Sequence, residues 1–161
     1  EMVKVIDNFL SEKEYTDIYT LLTNEYFPWY FNNYKLHQDT PELFKYQFIH
    51  SFYSNYNPNS DLITHLHPLI KKLNPLALIR IKANLNPIGH KLIEGDNHVD
   101  QFFKSKAAIY YVNSNNGYTK IGDKKVKSKS NRIVLFDAEI KHYGTNSTDC
   151  NNRMLINFNY F

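Results

Sequence analysis

Residues 153–160 read RMLINFNY, a stretch in which polar and apolar side chains alternate. Successive side chains of a β-strand point to opposite faces, so Arg153, Leu155 and Asn157 share one face and the apolar residues between them share the other. The alternation predicts a strand that packs one face on an apolar core. If the Arg153 face is directed into the protein, the guanidinium needs a partner, because a buried charge without one is strongly destabilising. A ligand carboxylate held by two parallel N–H···O bonds would meet that need.

The same alternation of polar and apolar side chains recurs along the chain from residue 76 onward. Turn-forming Asn, Gly and Pro residues divide it into separate segments. The predicted strands are residues 76–84, 91–93, 98–100, 107–113, 118–121, 132–136 and 154–161. Upstream, Ser11 and Glu14 form a capping box that predicts the start of a helix. Residues 60–73 predict a second helix, kinked at Pro68. Two helices followed by many short strands indicate an α+β fold in which helices support a β-sandwich or barrel.

Length and composition exclude several classes of protein. With 161 residues we expect a single domain over 1–161, with helices and supporting strands in 1–75 and the β core in 76–161. No apolar run approaches the roughly 20 residues that cross a bilayer, so we expect no membrane partner. Cys150 is the one cysteine, and the net charge of +3 is low for an obligate nucleic-acid binder. No secretory signal opens the chain, so a cytoplasmic location is expected.

Three side chains suggest a metal site. His98 and Asp100 are two residues apart, so on a strand they would share one face and reach one ion. His142, which follows the apolar strand 132–136, is the third candidate ligand. Two histidines and one carboxylate on one face of an octahedron leave positions open, an arrangement suited to non-haem Fe(II) oxygen chemistry.

Several motifs together resemble the 2-oxoglutarate- and Fe(II)-dependent dioxygenases. They are HVD at 98–100, AIYYVN at 108–113, RIVLF at 132–136, His142, Arg153 and NFNYF at 157–161. The sequence is most similar to the prolyl 4-hydroxylase branch, in which a strand of the type Tyr-Tyr-aliphatic-Asn follows the His-x-Asp motif. The stretch VIDNFLS at 5–11 also resembles the beginning of that domain. The resemblance implies a double-stranded β-helix, the jelly-roll or cupin-like fold, with flanking N-terminal helices.

The resemblance also implies roles for the metal site and for the cosubstrate site. His98, Asp100 and His142 would bind Fe(II). Arg153 would pair with the distal carboxylate of 2-oxoglutarate, and the Tyr111 hydroxyl would donate a hydrogen bond to that carboxylate.

Further positions of the same pocket follow from the resemblance. Thr119 would line the cosubstrate pocket. Asn84 or Asn86 stands on the strand where the branch has a tyrosine, and Asn84 would contact the cosubstrate. Asn159 stands at an aromatic position of the last strand, and with Asn157 it would contact the substrate. The segment between His142 and Arg153 is longer than in the oxygen-sensing prolyl hydroxylases.

The activity that the resemblance implies is hydroxylation of a C–H bond with O2, with release of succinate and CO2 and with ascorbate as a supporting reductant. Peptidyl proline is the first-choice substrate, so a protein or peptide is the expected partner. Free amino acids and nucleic acid are the alternative substrates within the superfamily. No prediction of oligomeric state follows.

Two segments leave other readings open. Residues 26–56 are rich in aromatic side chains, which either pack in the core or form a groove for a peptide. Residues 120–132 are rich in lysine and form either a solvated hairpin or a surface that steers an acidic protein or a nucleic acid. A nucleic-acid oxygenase would need stacking aromatic residues beside the iron. An alternative of another class is a non-catalytic β-sandwich module that binds carbohydrate or peptide.

Overall fold

The structure, a computed structural model, describes residues 2–33 and 46–161. The strands in this part of the chain are β1 (Lys4–Ile6), β2 (Tyr30–Asn32), β3 (Gln47–Ser54), β4 (Asn57–Pro58), β5 (Leu78–Pro87), β6 (Lys106–Tyr111), β7 (Tyr118–Ile121), β8 (Lys124–Lys127), β9 (Arg132–Asp137), β10 (His142–Gly144) and β11 (Asn152–Tyr160). The helices are α1 (Glu12–Thr23), a 3₁₀ helix (Asp61–Leu66) and α2 (His67–Leu73). Residues 34–45 of the predicted aromatic block lie outside the described residues.

Local sequence signals position the helices. The Ser11 side chain accepts a hydrogen bond from the Glu14 backbone N–H and the Glu14 carboxylate accepts one from the Ser11 N–H, so the predicted capping box opens α1. The single kinked helix predicted for residues 60–73 is wrong. The structure has a 3₁₀ helix there, followed by α2, with Pro68 in the first turn of α2. Proline is tolerated in that turn because its missing N–H would have no intrahelical partner.

Two antiparallel sheets form the β part of the molecule. The larger sheet has the strand order β1-β9-β6-β11-β5-β3-β2, and β4 pairs with β3. The smaller sheet has the order β10-β7-β8. In the larger sheet β11 lies between β5 and β6, with Arg153 opposite Asn86 and Leu155 between Asn84 and Tyr111.

The larger sheet uses its two faces differently, as the alternation of β11 predicts. Met154, Ile156 and Phe158 are buried on one face, in a cluster with Ile18 and Leu22 of α1. This cluster also includes two buried leucines, Leu66 of the 3₁₀ helix and Leu69 of α2. The helices therefore cover one face of the sheet.

The other face of the larger sheet packs against the smaller sheet. Ile109, Val134 and Leu155 from the larger sheet are buried with Ile121 and Val126 from the smaller sheet. The space between the two sheets therefore contains an apolar layer, and the candidate site lies in the same space.

The connection between β5 and β6 differs from its prediction. Residues 91–93 and 98–100 do not form the predicted strands. The connection has isolated bridges instead, one between Glu94, which directly follows residues 91–93, and Thr145, and one between His98 and His142. The hairpin within residues 120–132 is present as β7 and β8. None of the helices in the described part of the chain has the length and apolar character needed to cross a bilayer.

Candidate active site

The three predicted metal ligands converge on one point between the sheets. One ligand atom each of His98, Asp100 and His142 lies within 4.8 Å of the others. The Asp100 Oδ1 atom is 3.4 Å from His142 Nε2 and 3.7 Å from His98 Nε2. Neighbouring ligands of an octahedral ion with bonds of about 2.1 Å lie about 3 Å apart, so a small adjustment would place all three around a metal. The donor set fits Fe(II).

Backbone contacts orient both imidazoles. A pair of backbone hydrogen bonds joins His98 to His142, with N···O distances of 3.0 and 2.8 Å. The Nδ1 atom of His98 lies 2.8 Å from the Asp96 carbonyl, and the Nδ1 atom of His142 lies 2.9 Å from the Ile140 carbonyl. A carbonyl only accepts, so each Nδ1 carries the proton and donates it. Nε2 is then the ring atom that faces Asp100 in each histidine, and it is the atom that would bind a metal once it carries no proton.

The surroundings of Asp100 keep it ionised. Burial alone would raise its pKa, but the hydrogen bond and charge of His142, together with Asn159 and Arg80, outweigh burial and hold the pKa of Asp100 well below its usual range. Asn159 Nδ2 donates to Asp100 Oδ2 at 2.9 Å, and Arg80 Nη2 donates to Oδ1 at 3.3 Å. The carboxylate is thus charged and its second oxygen is already bound.

The two histidines differ in their burial and charge preference. Burial lowers the pKa of His98, whereas the hydrogen bond and charge of Asp100 overcome burial at His142 and raise its pKa. His98 is the more exposed of the two, with 45% of its side chain accessible against 6% for His142. His98 therefore lies at the entrance of the site and His142 lies inside.

Arg153 is buried beneath the same cavity, with a relative exposure of 1%. Its Nε donates to Ser128 Oγ, its Nη1 to the Thr145 carbonyl and its Nη2 to Thr119 Oγ1, at 2.9, 3.1 and 3.1 Å. One N–H on each terminal nitrogen remains. Within residues 2–33 and 46–161 no carboxylate pairs with Arg153, and burial lowers its pKa to about 10. A buried cation in this state is prepared to bind an anion.

Tyr111 acts on the cavity through Thr119. Its hydroxyl donates to Thr119 Oγ1 at 2.8 Å, and its ring lies 5.8 Å from the Arg153 guanidinium carbon. Thr119 thus accepts hydrogen bonds from both Tyr111 and Arg153, which uses both lone pairs of its oxygen and leaves its own O–H to donate. Thr119 lines the cavity, whereas Tyr111 lies behind it. A carboxylate in the cavity would contact Thr119 and Arg153 first.

A cavity of about 300 Å³ joins the metal cluster to Arg153. Both sheets and the β5–β6 connection contribute to its walls, and its charged and metal-ligating lining residues are Arg80, Lys82, Asp96, His98, Asp100, His142 and Arg153. Asn84 and Asn157 also line it. The Asn84 Oδ1 atom is buried without a hydrogen-bond partner among the described residues.

Asn159 occupies a different place from the one predicted. Its side chain is completely buried and is absent from the cavity lining. Its amide faces Asp100 instead. In this structure Asn159 therefore contacts a candidate metal ligand and does not line the cavity in which a substrate would bind.

Sequence reasoning missed four residues of this site. Ser128 and Thr145 hold Arg153, and no local pattern connects them to it. Arg80 and Lys82 line the cavity beside Asn84. Their spacing of two along β5 is a signal that could have placed them on the same face as Asn84.

No family model matches the sequence, and no curated protein matches it. Solved structures do match in fold. A prolyl hydroxylase from Trichoplax adhaerens, in complex with a hypoxia inducible factor peptide fragment, has a TM-score of 0.70 at 14% identity over 99% of this chain and 83% of that one. A Pseudomonas putida prolyl-4-hydroxylase has a TM-score of 0.61 at 12% identity, over 98% of this chain and 91% of that one.

A 2OG-Fe(II) oxygenase family oxidoreductase from Burkholderia pseudomallei has a TM-score of 0.68 at 9% identity, over 98% of this chain and 84% of that one. These likenesses establish the fold. The α+β double-stranded β-helix expected from the sequence is confirmed, and the chain is similar in fold to these 2-oxoglutarate oxygenases, two of which are prolyl hydroxylases.

Proposed function

We propose that this protein is a 2-oxoglutarate- and Fe(II)-dependent oxygenase that hydroxylates a C–H bond, with release of succinate and CO2. Peptidyl proline is the first-choice substrate. The observation that carries the proposal is the presence of two complementary sites in one cavity: a His98–Asp100–His142 cluster and a buried Arg153 without a carboxylate partner among the described residues.

The cavity fits the two groups that the proposal requires. His98, Asp100 and His142 would hold the iron, through two neutral imidazoles and one ionised carboxylate. 2-Oxoglutarate has a carboxylate at each end, and Arg153 with Thr119 would hold the end that is distant from the metal. Each terminal nitrogen of Arg153 retains one N–H, which suits a carboxylate bound through both oxygens.

The protein's own residues orient and isolate the reactants. Bound iron would supply the activation of O2 for attack on an unactivated C–H bond. Asn159 and Arg80 restrain Asp100 so that its Oδ1 faces the two imidazoles. Tyr111 fixes the direction of the Thr119 hydroxyl, and the apolar side chains of Ile109 and Leu155 form part of the cavity wall. O2 and a reductant such as ascorbate belong to the proposal through this chemistry.

A peptide substrate is supported by two observations. One of the structures with the same fold is a prolyl hydroxylase bound to a peptide fragment. Tyr46 and Gln47, at the start of β3, line the same cavity, and Tyr46 forms an aromatic cluster with Phe31 and Phe48. Phe31 is 63% exposed, so an apolar surface borders the cavity entrance. Proline rings pack well on such aromatic surfaces.

The lysine-rich hairpin gives little support to a nucleic-acid substrate. Lys125 lies 3.7 Å from the centre of the Tyr118 ring, and Lys129 and Arg132 both pair with Asp7. Three of its basic side chains are therefore engaged within the protein. A nucleic-acid oxygenase remains the alternative within the superfamily.

The test is a succinate-release assay with Fe(II), 2-oxoglutarate and ascorbate, first without substrate and then with a panel of proline-containing peptides. We expect slow succinate release without peptide, faster release with an accepted peptide, and a mass gain of one oxygen atom in that peptide. The His142→Ala variant should lose both, because it removes one metal ligand. Full activity in that variant would contradict the assignment. Absence of succinate release from the metal-loaded wild type would contradict the proposed function.

A further inference from the structure

One strand lines the cavity with two positive charges, and the proposed roles use only the contact of Arg80 with Asp100. Residues Arg80, Lys82 and Asn84 of β5 alternate with Ile81 and Ala83. Ile81 and Ala83 are buried against the helices, so the polar residues between them face the cavity. Arg80 and Lys82 therefore stand side by side on the wall next to Asp100.

Lys82 forms no ion pair in the described part of the chain, where the ion pairs of the cavity join Arg80, His98 and His142 to Asp100. Its cross-strand neighbours are Asn157 on β11 and Ser51 on β3, and both are uncharged. Burial, followed by the charge of Arg80, lowers the pKa of Lys82, and the opposing effect of the Asp100 charge is smaller. The ammonium group is thus partly removed from water beside a second cation.

Arg80 does not use all of its N–H donors in contacts with the described residues. Its Nη2 contacts Asp100 Oδ1 at 3.3 Å, which is long for a charge-assisted hydrogen bond. Its Nε is buried and has no hydrogen-bond partner among the described residues. A buried donor in this state is costly unless a ligand supplies the acceptor.

Among the described residues, the other charged groups of the cavity have contacts or proposed roles of their own. Asp100 serves the metal site in the proposed function, and Arg153 serves the cosubstrate. Asp96 also lines the cavity, but it is engaged in a contact of its own. Lys82, supported by Arg80, is then the cation that faces the space left for the substrate.

We propose that the wall formed by Arg80 and Lys82 binds a carboxylate of the substrate, so that the hydroxylated molecule is an organic acid or a peptide with an acidic group beside the reacting carbon. The inference rests on the proposed function, since it assigns the remaining part of that cavity.

The substrate carboxylate can belong to the proline itself or to a neighbouring side chain. Matched pairs of probes distinguish these two positions. N-acetylproline and N-acetylprolinamide differ only in a carboxylate on the proline itself. The N-acetylated, C-amidated dipeptides Pro-Glu and Pro-Gln differ only in a carboxylate on the neighbouring side chain. Each probe is added to protein loaded with Mn²⁺ and saturating N-oxalylglycine, an inert analogue of 2-oxoglutarate. Paramagnetic relaxation of the probe protons then measures binding close to the metal, without turnover.

We expect the acidic member of at least one pair to bind about tenfold more tightly than its amide, as a charge-assisted hydrogen bond provides. Lys82→Gln should remove this preference and Lys82→Arg should retain it. Equal binding of acid and amide in both pairs, or no binding of any acid, would overturn the inference. A preference that persists in Lys82→Gln would also overturn it, as would loss of N-oxalylglycine binding in that variant, because Lys82 would then serve the cosubstrate.

The proposed function is tested separately on the same preparations. Metal-dependent binding of N-oxalylglycine and substrate-free succinate release measure it directly in the wild type. If both are present and the acid preference is absent, only the inference about the substrate fails. If both are absent, the proposed function fails.

Discussion

At the scale of single residues, Asp100 connects the metal cluster to the sheet beneath it. Its Oδ1 faces two imidazoles, and its Oδ2 accepts from Asn159. Asn159 is completely buried, so its amide cannot exchange this contact for water. With Oδ2 bound to this amide, Asp100 would offer Oδ1 to a metal.

Replacement of Asn159 tests this positioning role. We expect Asn159→Leu, which is similar in volume, to weaken Mn²⁺ binding by about 10-fold to 100-fold, because the freed Asp100 oxygen loses its donor. Equilibrium titration of Mn²⁺ followed by electron paramagnetic resonance measures the affinity. Asn157→Leu is the matched control, since residue 157 lies on the same face of β11 without an observed contact to Asp100. Equal Mn²⁺ affinities in the two variants would contradict the role of Asn159.

Individual residues also show what the sequence could predict about the site. The spacing of His98 and Asp100 and the alternation around Arg153 are local patterns, and the structure brings these residues into one cavity. Ser128 and Thr145 could not be predicted as partners of Arg153, because they come from separate loops that only the tertiary structure brings together. The position of Asn159 outside the cavity lining could not be predicted, because alternation indicates the face of the sheet on which a residue lies but not its distance from the cavity.

At the scale of secondary structure elements, the turn before β7 leaves room for Arg153. A Cβ atom at Gly117 would lie 2.5 Å from Arg153 Cδ and 2.7 Å from the Asn146 carbonyl oxygen. Contacts this short force a displacement of the side chain or of the backbone. Glycine at this position is thus required by space and not by backbone conformation.

Two glycine-to-alanine substitutions separate the requirement for space from the requirement for a particular backbone conformation. Gly117→Ala should lower the free energy of unfolding by about 1–3 kcal/mol and weaken N-oxalylglycine binding to the Mn²⁺-loaded protein by about tenfold, because Arg153 must move. Gly122→Ala is the control: its φ of +54° strains an alanine, but an added Cβ meets only Ile140 Cγ2 at 3.7 Å. It should lose stability and keep inhibitor affinity, as measured by calorimetric titration. Unchanged affinity in Gly117→Ala would contradict the steric argument.

The N-terminal strand is held to β9 by an ion-pair cluster at its end. Asp7, directly after β1, binds Arg132 at 2.6 Å and Lys129 at 3.1 Å. The hydrogen bonds from Arg132 and then Lys129 lower the pKa of Asp7 to about 2 from 3.8. A lowered pKa means that the cluster stabilises the fold fully above about pH 4 and loses this contribution as the pH falls towards 2.

Asp7→Asn should therefore show a stability difference that depends on pH. At pH 7 we expect the free energy of unfolding to fall by about 1 kcal/mol, a figure discounted because Asp7 is partly exposed. The difference from the wild type should shrink between pH 4 and pH 2, as followed by urea unfolding across that range. Asp17→Asn, which breaks the exposed pair with Lys13, should have little effect at any pH. A difference for Asp7→Asn that does not change with pH would contradict the linkage.

The elements differ in how far the sequence predicts them. Helix α1 and strands β6, β7, β9 and β11 carry complete local signals, either a capping box or an alternation over several residues. The wrong predictions concern the single helix at 60–73 and the strands at 91–93 and 98–100, where the structure has isolated bridges from Glu94 and His98 to distant residues. Such short pairings depend on contacts far apart in the sequence, so local alternation does not distinguish them from strands.

At the scale of the whole molecule, the site depends on both sheets and on the connection between β5 and β6. His142 belongs to β10 of the smaller sheet, and Arg153 belongs to β11 of the larger sheet. His98 and Asp100 come from the connection. A metal would thus join the connection to the smaller sheet, and a dicarboxylate between the metal and Arg153 would extend the link to the larger sheet. Binding of the two should be cooperative, because each fixes groups that the other contacts.

Thermal unfolding measures this cooperativity. A ligand that binds only the folded protein raises the melting temperature, so Mn²⁺ alone and N-oxalylglycine alone should each give a small increase. Added together they should give an increase larger than the sum of the two, because the analogue would contact the metal and Arg153 at once. Arg153→Gln should retain the increase from Mn²⁺ and lose the excess. Arg132→Gln, an arginine outside the cavity lining, should retain both relative to its own starting temperature. Strictly additive increases in the wild type would mean that the analogue does not bridge the metal and Arg153, and the two sites would then be independent.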